Sequence, residues 1–71
     1  MTNTKLLKSK MVAHGDEAYV QCLADLLDIS RTTASGKLDG TIPFKQPEII
    51  LVSKKYDLSA EDIKDIFVGD D

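Results

Sequence analysis

The sequence predicts an all-α domain of five short helices. Two observations predict this fold: apolar residues recur at helical spacing, and residues that cap or end helices separate these runs. A chain of 71 residues with 42% hydrophobic and 30% charged residues has the composition of one folded domain, residues 1–71, with a core near the lower size limit for independent folding. No segment is predicted as a strand, a repeat or a linker.

The first predicted helix covers residues 5–13. It follows a frayed start at residues 1–4, in which Asn3 or Thr4 serves as the cap. Apolar side chains one turn apart face the core, and the lysines face outward. His14-Gly15 is predicted to end this helix.

The second predicted helix begins after Asp16, which is predicted to cap it. Its apolar stripe has the spacing i, i+3, i+4 and i+7 and consists of Val20, Leu23, Ala24 and Leu27. Gln21 and Asp25 face outward in this arrangement. Asp28-Ile29-Ser30 then breaks the helical pattern.

The third predicted helix begins at Ser30, whose hydroxyl can accept from the unpaired amides of the first turn. Ala34 and Leu38 form a narrow inward stripe, and Gly40 is placed to end the helix in a left-handed conformation. The outward face contains Arg31, Thr32, Ser35 and Lys37. Two short helices joined by a short turn, over about residues 19–40, describe a helix-turn-helix.

Gly36 lies in the middle of this third helix, where glycine costs about 1 kcal/mol relative to alanine. One interpretation is that a short helix with good caps tolerates the glycine. The other is that the missing side chain lets the helix approach a surface closely, either DNA or protein. The sequence supports both interpretations.

The remaining residues predict a loop and two more helices. Ile42 and Phe44 are expected to fold back onto the core, and Pro47 suits the first position of the fourth helix. The inward face of that helix contains Ile49, Val52 and Tyr56. Ile50 and Leu51 cannot both join this face, so one of them is expected to stay partly exposed as a surface for self-association or for a partner.

The last helix is predicted to begin after Ser59. This residue is the expected cap, Asp62 occupies the capping-box position, and Leu58 is expected to pack on Ile63. The buried face contains Ile63, Ile66 and Phe67. Residues 69–71 are predicted to form a solvated tail.

The charge of the chain is acidic, with a net charge of −3 and a pI near 4.9. Basic surfaces dominate the affinity of proteins for DNA, so this balance is unusual for a DNA-binding protein. Residues 1–37 contain five basic and four acidic side chains, a net charge of +1, whereas residues 38–71 contain four basic and eight acidic ones, a net charge of −4. Most of the predicted helix-turn-helix, up to residue 37, therefore lies in the slightly positive half.

Several functional classes are not favoured by the sequence. No apolar run approaches the length of about 18 residues that a membrane-spanning helix needs, and no signal peptide opens the chain. The lone cysteine, Cys22, is predicted to be a packing residue, which fits a reducing cytoplasm. The sequence contains no catalytic pairing, phosphate loop or metal-ligand spacing, so we expect no enzyme, no cofactor and no metal site.

The stretch at residues 23–40 reads LADLLDISRTTASGKLDG. It resembles the pattern LAxxLGISxxxxSxxLNG of phage-repressor-type (lambda-repressor-like) helix-turn-helix domains. The continuation PFKQPEIILVSKKYDLSAEDIKDIF resembles small Cro-like regulators of temperate phages of Gram-positive bacteria, and the resemblance covers roughly residues 6–67. Asp28 replaces the usual glycine of the left-handed turn, which Asp tolerates better than most residues. Val20 replaces a glutamine with which many members contact a DNA phosphate.

This resemblance implies a transcriptional regulator of a lysis–lysogeny switch in the cytoplasm of a bacterial host. Residues 30–39 would be the recognition helix, which binds double-stranded operator DNA and places its N-terminal residues against base edges. The candidate base contacts are Arg31, Thr32 and Ser35. The candidate phosphate contacts, which orient the protein without reading sequence, are Ser30, Thr33 and Lys37.

The resemblance also allows an antirepressor, which would bind the phage repressor protein and block or alter its DNA binding. An acidic protein is attracted to the basic DNA-reading face of a repressor. Asp28 and Asp39 bracket the third helix and would repel phosphates but suit arginines and lysines, and Arg31 would pair with an acidic residue of the partner. A homodimer would match palindromic half-sites, although no strong apolar seam demands one.

Overall fold

The structure is a computed structural model that describes residues 2–67, and it is all-α. The five helices are α1 (Thr4–Ala13), α2 (Tyr19–Leu27), α3 (Arg31–Asp39), α4 (Gln46–Lys55) and α5 (Ala60–Ile66). The described range contains no strand, so the predicted helices and their order are confirmed there. In the same range no helix combines the length and the apolar character needed to cross a membrane. The predicted tail at residues 69–71 lies outside the described residues.

The helices enclose one hydrophobic core. Its buried side chains are Leu7, Met11, Leu23, Ala24, Ala34, Leu38, Phe44, Ile49, Val52, Tyr56, Ile66 and Phe67. The rings of Phe44 and Phe67 meet edge to face with 5.0 Å between their centroids, so the loop before α4 and the residue after α5 close the core together. Phe44 therefore folds onto the core as predicted, whereas the same prediction for Ile42 is wrong, since this side chain is 37% exposed.

The start of the chain is anchored to two other helices. The amide of Asn3 donates to the carbonyl of Ile66 over 2.6 Å, at the end of α5. The hydroxyl of Thr4 donates to the carbonyl of Leu38 near the end of α3. The prediction that residues 2–4 are frayed is therefore wrong, because these two hydrogen bonds connect the start of α1 to both α3 and α5.

Local caps define the starts of three helices and the end of one. The side chains of Asn3, Ser30 and Ser59 accept from backbone amides in the first turns of α1, α3 and α5, and Asp62 completes a capping box with Ser59, as predicted. Gly40 ends α3 in the left-handed conformation with φ 84°. Three helix starts and the end of α3 therefore follow from local residues.

Asp16 is an exception, and its prediction as the cap of α2 is wrong. This helix begins only at Tyr19, after Ala18, and the Asp16 carboxylate accepts from the Tyr56 hydroxyl over 2.8 Å. Burial raises the pKa of the Tyr56 hydroxyl above its ordinary value, and the hydrogen bond to Asp16 raises this pKa further. The hydroxyl therefore stays protonated and connects the loop before α2 to the end of α4.

One left-handed residue forms the turn between α2 and α3. Asp28 has φ 55° and ψ 49°, and the following residue, Ile29, donates its amide to the Ala24 carbonyl over 3.0 Å. Asp adopts this conformation at lower cost than most residues with a Cβ atom. The turn expected from the sequence is therefore present at Asp28.

An ion pair between a buried lysine and a half-buried glutamate connects α3 to the start of α4. The ammonium group of Lys37, whose residue is 2% exposed, lies 2.7 Å from Oε1 of Glu48 and donates to the Pro43 carbonyl over 2.9 Å. The same carboxylate oxygen accepts from the Lys45 amide over 2.8 Å. Lys37 also lies above the ring of Phe44, with 5.4 Å between Nζ and the ring centroid. One carboxylate thus holds α3, the loop and the first turn of α4 together.

The loop after α3 fills the space that Gly36 leaves open. A Cβ atom at this position would lie 2.5 Å from Cδ1 and 2.9 Å from Cγ1 of Ile42. The Gly36 carbonyl accepts from the amides of Thr41 and Ile42 over 3.0 and 3.1 Å. The glycine does permit a close approach, but the approaching surface is the loop of this chain, so a partner does not meet α3 at this point.

The exposed side of α4 is more apolar than the sequence predicted. Ile50 and Leu51 are each 44% exposed, so both of them, and not one, remain outside the core. The inward face contains Ile49, Val52 and Tyr56, as predicted. Pro47 occupies the second position of α4 and not the first, since the helix begins at Gln46.

We expect Glu48→Ala to lower the free energy of unfolding by about 2–4 kcal/mol, because it leaves the buried Lys37 ammonium without its counter-charge. Urea denaturation measures this loss. The matched control is Glu17→Ala, which removes an exposed carboxylate and should change the stability by no more than about 0.5 kcal/mol. Equal losses for the two variants would contradict a structural role for the ion pair.

The same pair predicts a pH dependence. Burial alone raises the pKa of the Glu48 carboxyl, but the hydrogen bonds from Lys37 and the Lys45 amide and the nearby positive charges outweigh it and lower the pKa below its ordinary value of 4.5. The carboxylate therefore stabilises the fold above that pH, and the stabilisation is lost as the pH falls below it. The stability difference between the wild type and Glu48→Gln should be largest near neutrality and narrow in acid. A constant difference would contradict this assignment.

Asp28→Ala should destabilise the protein by about 1 kcal/mol, because alanine tolerates the left-handed conformation less well than aspartate. Asp28→Gly should be tolerated, since glycine has no Cβ atom to clash. Thermal unfolding measures both effects. Asp39→Ala is the control, because Asp39 is exposed but helical, and it should change the stability by less than about 0.5 kcal/mol. Similar losses at Asp28 and Asp39 would contradict the constraint at the turn.

Candidate macromolecule-binding surface

A polar surface runs along the exposed side of α3. Thr32, Ser35 and Asp39 lie at positions i, i+3 and i+7 and therefore share one side of the helix. Arg31 lies beside them at the first position. We call these four residues the polar face of α3. Arg31, Thr32 and Asp39 are exposed, and Ser35 is half-buried, so the predicted base contacts are at the surface.

Ser30 and Thr33 bond to each other at the start of α3. The Ser30 hydroxyl accepts from the Thr33 amide over 3.2 Å and donates to the Thr33 hydroxyl oxygen over 3.0 Å. Ser30 is exposed and Thr33 is half-buried. The Thr33 hydroxyl hydrogen is not used in these two bonds, so Thr33 can still donate to an outside acceptor while both residues hold the helix start.

Lys37 is the one predicted site residue that the structure removes from the surface. The sequence placed it on the outward face as a phosphate contact, but its side chain is 3% exposed and its ammonium group is paired with Glu48. The physical reason is the position of the loop after α3, which brings the Pro43 carbonyl and the Glu48 carboxylate to that side of the helix. The prediction that Lys37 faces outward is therefore wrong, and Arg31 is the only basic residue of α3 at the surface.

Arg31 belongs to a chain of hydrogen bonds that crosses from α3 to α2. Its Nε donates to Oε1 of Gln21 over 2.7 Å. The Nε2 group of Gln21 in turn donates to Oδ1 of Asp25 over 2.8 Å, one helical turn further along α2. The sequence indicated that Gln21 and Asp25 face outward, and their i, i+4 spacing is typical of such side-chain pairs. The contact with Arg31 depends on how α2 and α3 pack and was not predicted.

A shallow, open groove lies beside this chain of hydrogen bonds, between α3 and the first turn of α2. It has a volume of about 500 Å³ and is lined by Ala18, Tyr19, Val20, Gln21 and Arg31. Ala18 precedes the helix, and within residues 2–67 no side chain caps α2. The first amides of an uncapped helix attract anions.

A second cation lies close to this groove. The Nζ atom of Lys8 lies 5.3 Å from the centroid of the Tyr19 ring, on α1 beside the start of α2. Lys8 is half-buried and Arg31 is exposed. The region around the start of α2 thus combines two basic side chains with the positive end of a helix.

Acidic side chains surround the rest of this surface. Asp28 is exposed in the turn, and Asp39 is exposed at the other end of α3. Because Lys37 is buried, Arg31 is the only basic side chain of α3 that is exposed together with these two carboxylates. The surface is therefore divided into a basic region at the groove and acidic positions at both ends of the helix, an arrangement that suits a charged macromolecular partner bound in one orientation.

The predicted site residues lie along α3 and at its two ends. The hydroxyls of Ser30 and Thr33 bond to each other, the Ser30 hydroxyl also accepts from the Thr33 amide, and the carboxylates of Asp28 and Asp39 lie at opposite ends of α3. The geometry suits contacts made over a broad, open surface. Comparisons with protein families, curated proteins and solved structures find no significant match to this chain.

Proposed function

We propose that this chain is a DNA-binding transcriptional regulator in which α2 and α3 form a helix-turn-helix and α3 is the recognition helix. The observation that carries the proposal is the position of Arg31. It is exposed at the first position of α3, next to the uncapped start of α2. In helix-turn-helix recognition the second helix meets the base edges and the first crosses the phosphate backbone, so a cation at the start of α3 beside free amides at the start of α2 supports this mode.

Contacts to bases would come from the polar face of α3. The major groove of DNA admits one α-helix, and the N-terminal residues of a recognition helix meet the base edges. Arg31 can donate to both guanine acceptors, O6 and N7, and Thr32 can donate a hydrogen bond or touch a thymine methyl group. Ser35 follows one turn later. Its small side chain lets the helix backbone approach the bases closely.

Contacts to phosphates would come from groups around the groove. The first amides of α2 are uncapped, and Lys8 and Arg31 add positive charge there. Thr33 adds a hydroxyl at the start of α3. These groups replace Lys37 as phosphate contacts, because the buried lysine cannot reach a partner. They also offset the Val20 substitution, since backbone amides supply donors whatever the side chain.

The biological setting follows from the resemblance to small Cro-like regulators of temperate phages. The protein would act in the cytoplasm of a bacterial host on operator DNA that controls the choice between lysis and lysogeny. A homodimer would bind two half-sites about one helical turn apart. Ile50 and Leu51 on α4 are exposed apolar residues that such a dimer could bury.

Arg31→Ala should weaken binding to a cognate duplex by about 1–3 kcal/mol and relax the preference at one base pair, because it removes both donors to a guanine. The cognate duplex is obtained by selecting the wild-type protein against a pool of random duplexes. Fluorescence anisotropy then measures affinity for the selected and an unselected duplex. Lys64→Ala, which removes an exposed positive charge from α5, is the control and should weaken both duplexes slightly and equally. Equal losses on both duplexes for Arg31→Ala would refute the base-reading role.

A specific observation favours a second function, that of an antirepressor. Because Lys37 is buried, Arg31 is the one exposed basic side chain of α3, against the exposed carboxylates of Asp28 before the helix and Asp39 at its end. Such a surface is complementary to the basic DNA-reading face of a repressor. Arg31 would then pair with an acidic residue of that repressor. In this mode the protein would remove the repressor from DNA without binding the operator strongly itself.

The double substitution Asp28→Asn and Asp39→Asn separates the two functions by the sign of its effect. If DNA is the partner, the loss of two negative charges should strengthen duplex binding, and the wild-type log affinity should fall linearly with log salt, with a slope of about −0.9 per neutralised phosphate. If the repressor encoded beside the gene is the partner, the same substitution should weaken that complex. A protein that releases the repressor from labelled operator and never binds the duplex itself would establish the antirepressor.

A further inference from the structure

We infer that Gln21 and Asp25 are positioning residues that orient the Arg31 guanidinium for end-on recognition of a guanine. This inference rests on the proposed DNA-binding function and adds two residues of α2 to the specificity of α3. The geometry that supports it is the continuous chain from Arg31 to Gln21 over 2.7 Å and from Gln21 to Asp25 over 2.8 Å.

Asp25 determines which way the Gln21 amide faces. A carboxylate can only accept hydrogen bonds, so the NH₂ end of the Gln21 amide must face Asp25. The carbonyl end then faces Arg31, where it accepts from Nε. Without Asp25 only the contact with Arg31 itself would hold this orientation, so both the amide and the guanidinium would be less restrained. The carboxylate therefore acts on Arg31 through Gln21 and needs no contact with DNA.

Gln21 in turn determines which edge of the guanidinium remains available. An arginine can meet guanine with its two terminal nitrogens or with Nε and one terminal nitrogen. Because Nε is bound to Gln21, only the two terminal nitrogens remain as a pair. This pair matches the O6 and N7 acceptors of guanine. The contact also restrains a long side chain before DNA arrives, which lowers the entropic cost of binding.

The first test measures the order of the Arg31 side chain in the free protein. Relaxation of the Nε nitrogen by NMR should show a restrained N–H group in the wild type and a mobile one in Gln21→Met, which keeps the length and helix propensity of glutamine but loses the acceptor. Gln21→Glu retains an acceptor and should restore the restraint. Equal mobility in the wild type and Gln21→Met would overturn the inference without any DNA present.

The second test is a double-mutant cycle on the selected duplex. Gln21→Met should lower the affinity for that duplex three- to tenfold, the range expected for ordering one long side chain. The affinity for an unselected duplex should stay unchanged. In the Arg31→Ala background the same substitution should have no further effect, because Gln21 acts through Arg31. Additive losses would overturn the inference and assign Gln21 its own contact with DNA.

Asp25→Asn requires a charge control, since removing any carboxylate strengthens DNA binding in general. Asp28→Asn is the matched variant, because Asp28 is exposed in the same region and asparagine tolerates the left-handed conformation. Asp28→Asn should strengthen the selected and unselected duplexes equally. Asp25→Asn should strengthen binding to the unselected duplex by the same factor. It should also lower the ratio of the affinity for the selected duplex to the affinity for the unselected one. An unchanged ratio would overturn the role of Asp25.

Selection from random duplexes distinguishes this inference from the proposed function. In the wild type one guanine should dominate a single position, and Gln21→Met should weaken the preference at that position and at no other. Enriched sequences whose guanine preference persists in Gln21→Met would overturn the inference alone. A pool without any enriched sequence would overturn the proposed function and, with it, the base-reading role of Arg31.

Discussion

The ion pair between the buried Lys37 and Glu48 fixes the position of α3 in this fold. It joins the helix to the Pro43 carbonyl and to the first turn of α4, and the residue that supplies the ammonium group is almost fully enclosed. Enclosing a lysine is costly unless a counter-charge and hydrogen bonds accompany it, and here both are present. The same pair removes a positive charge from the surface. Stability and surface charge are therefore set by one interaction.

Short-range interactions define where α3 begins and ends. Ser30 caps α3, Asp28 turns the chain before it, and Gly40 ends it, so each boundary is fixed within a few residues. The core adds long-range contacts through Phe44 and Phe67. Together they hold the polar face of α3 outward on a small domain. A surface that must meet a partner in one orientation benefits from such rigidity, because less order has to be created on binding.

The accuracy of the sequence predictions follows from the range of the interactions involved. Helical spacing and caps are local, so the five helices and the caps at Asn3, Ser30 and Ser59 were predictable. Asp16 was misassigned because its partner, Tyr56, is 40 residues away in sequence. Helical periodicity alone could not reveal this hydrogen bond, since it depends on how the helices pack.

The residues of the candidate site also fall into those that local helical position predicts and those that depend on long-range packing. Arg31 and Thr32 could be placed at the surface from helical position alone. Lys37 looked like an outward residue because periodicity does not show where a later loop will pass, and that loop encloses it. The contact between Gln21 and Arg31 could not be predicted from the sequence either, because it depends on how α2 packs against α3. Charge on a helix face is thus the property that single-sequence reasoning predicted least well here.

We propose that the polar face of α3 and the neighbouring start of α2 together contact DNA. The most direct measurement is an NMR titration of labelled protein with the selected duplex, following every backbone amide. We expect the largest chemical-shift changes at residues 19–21 and 30–35, with little change in α5. Changes concentrated around Ile50 and Leu51 on α4, with residues 30–35 unaffected, would contradict it.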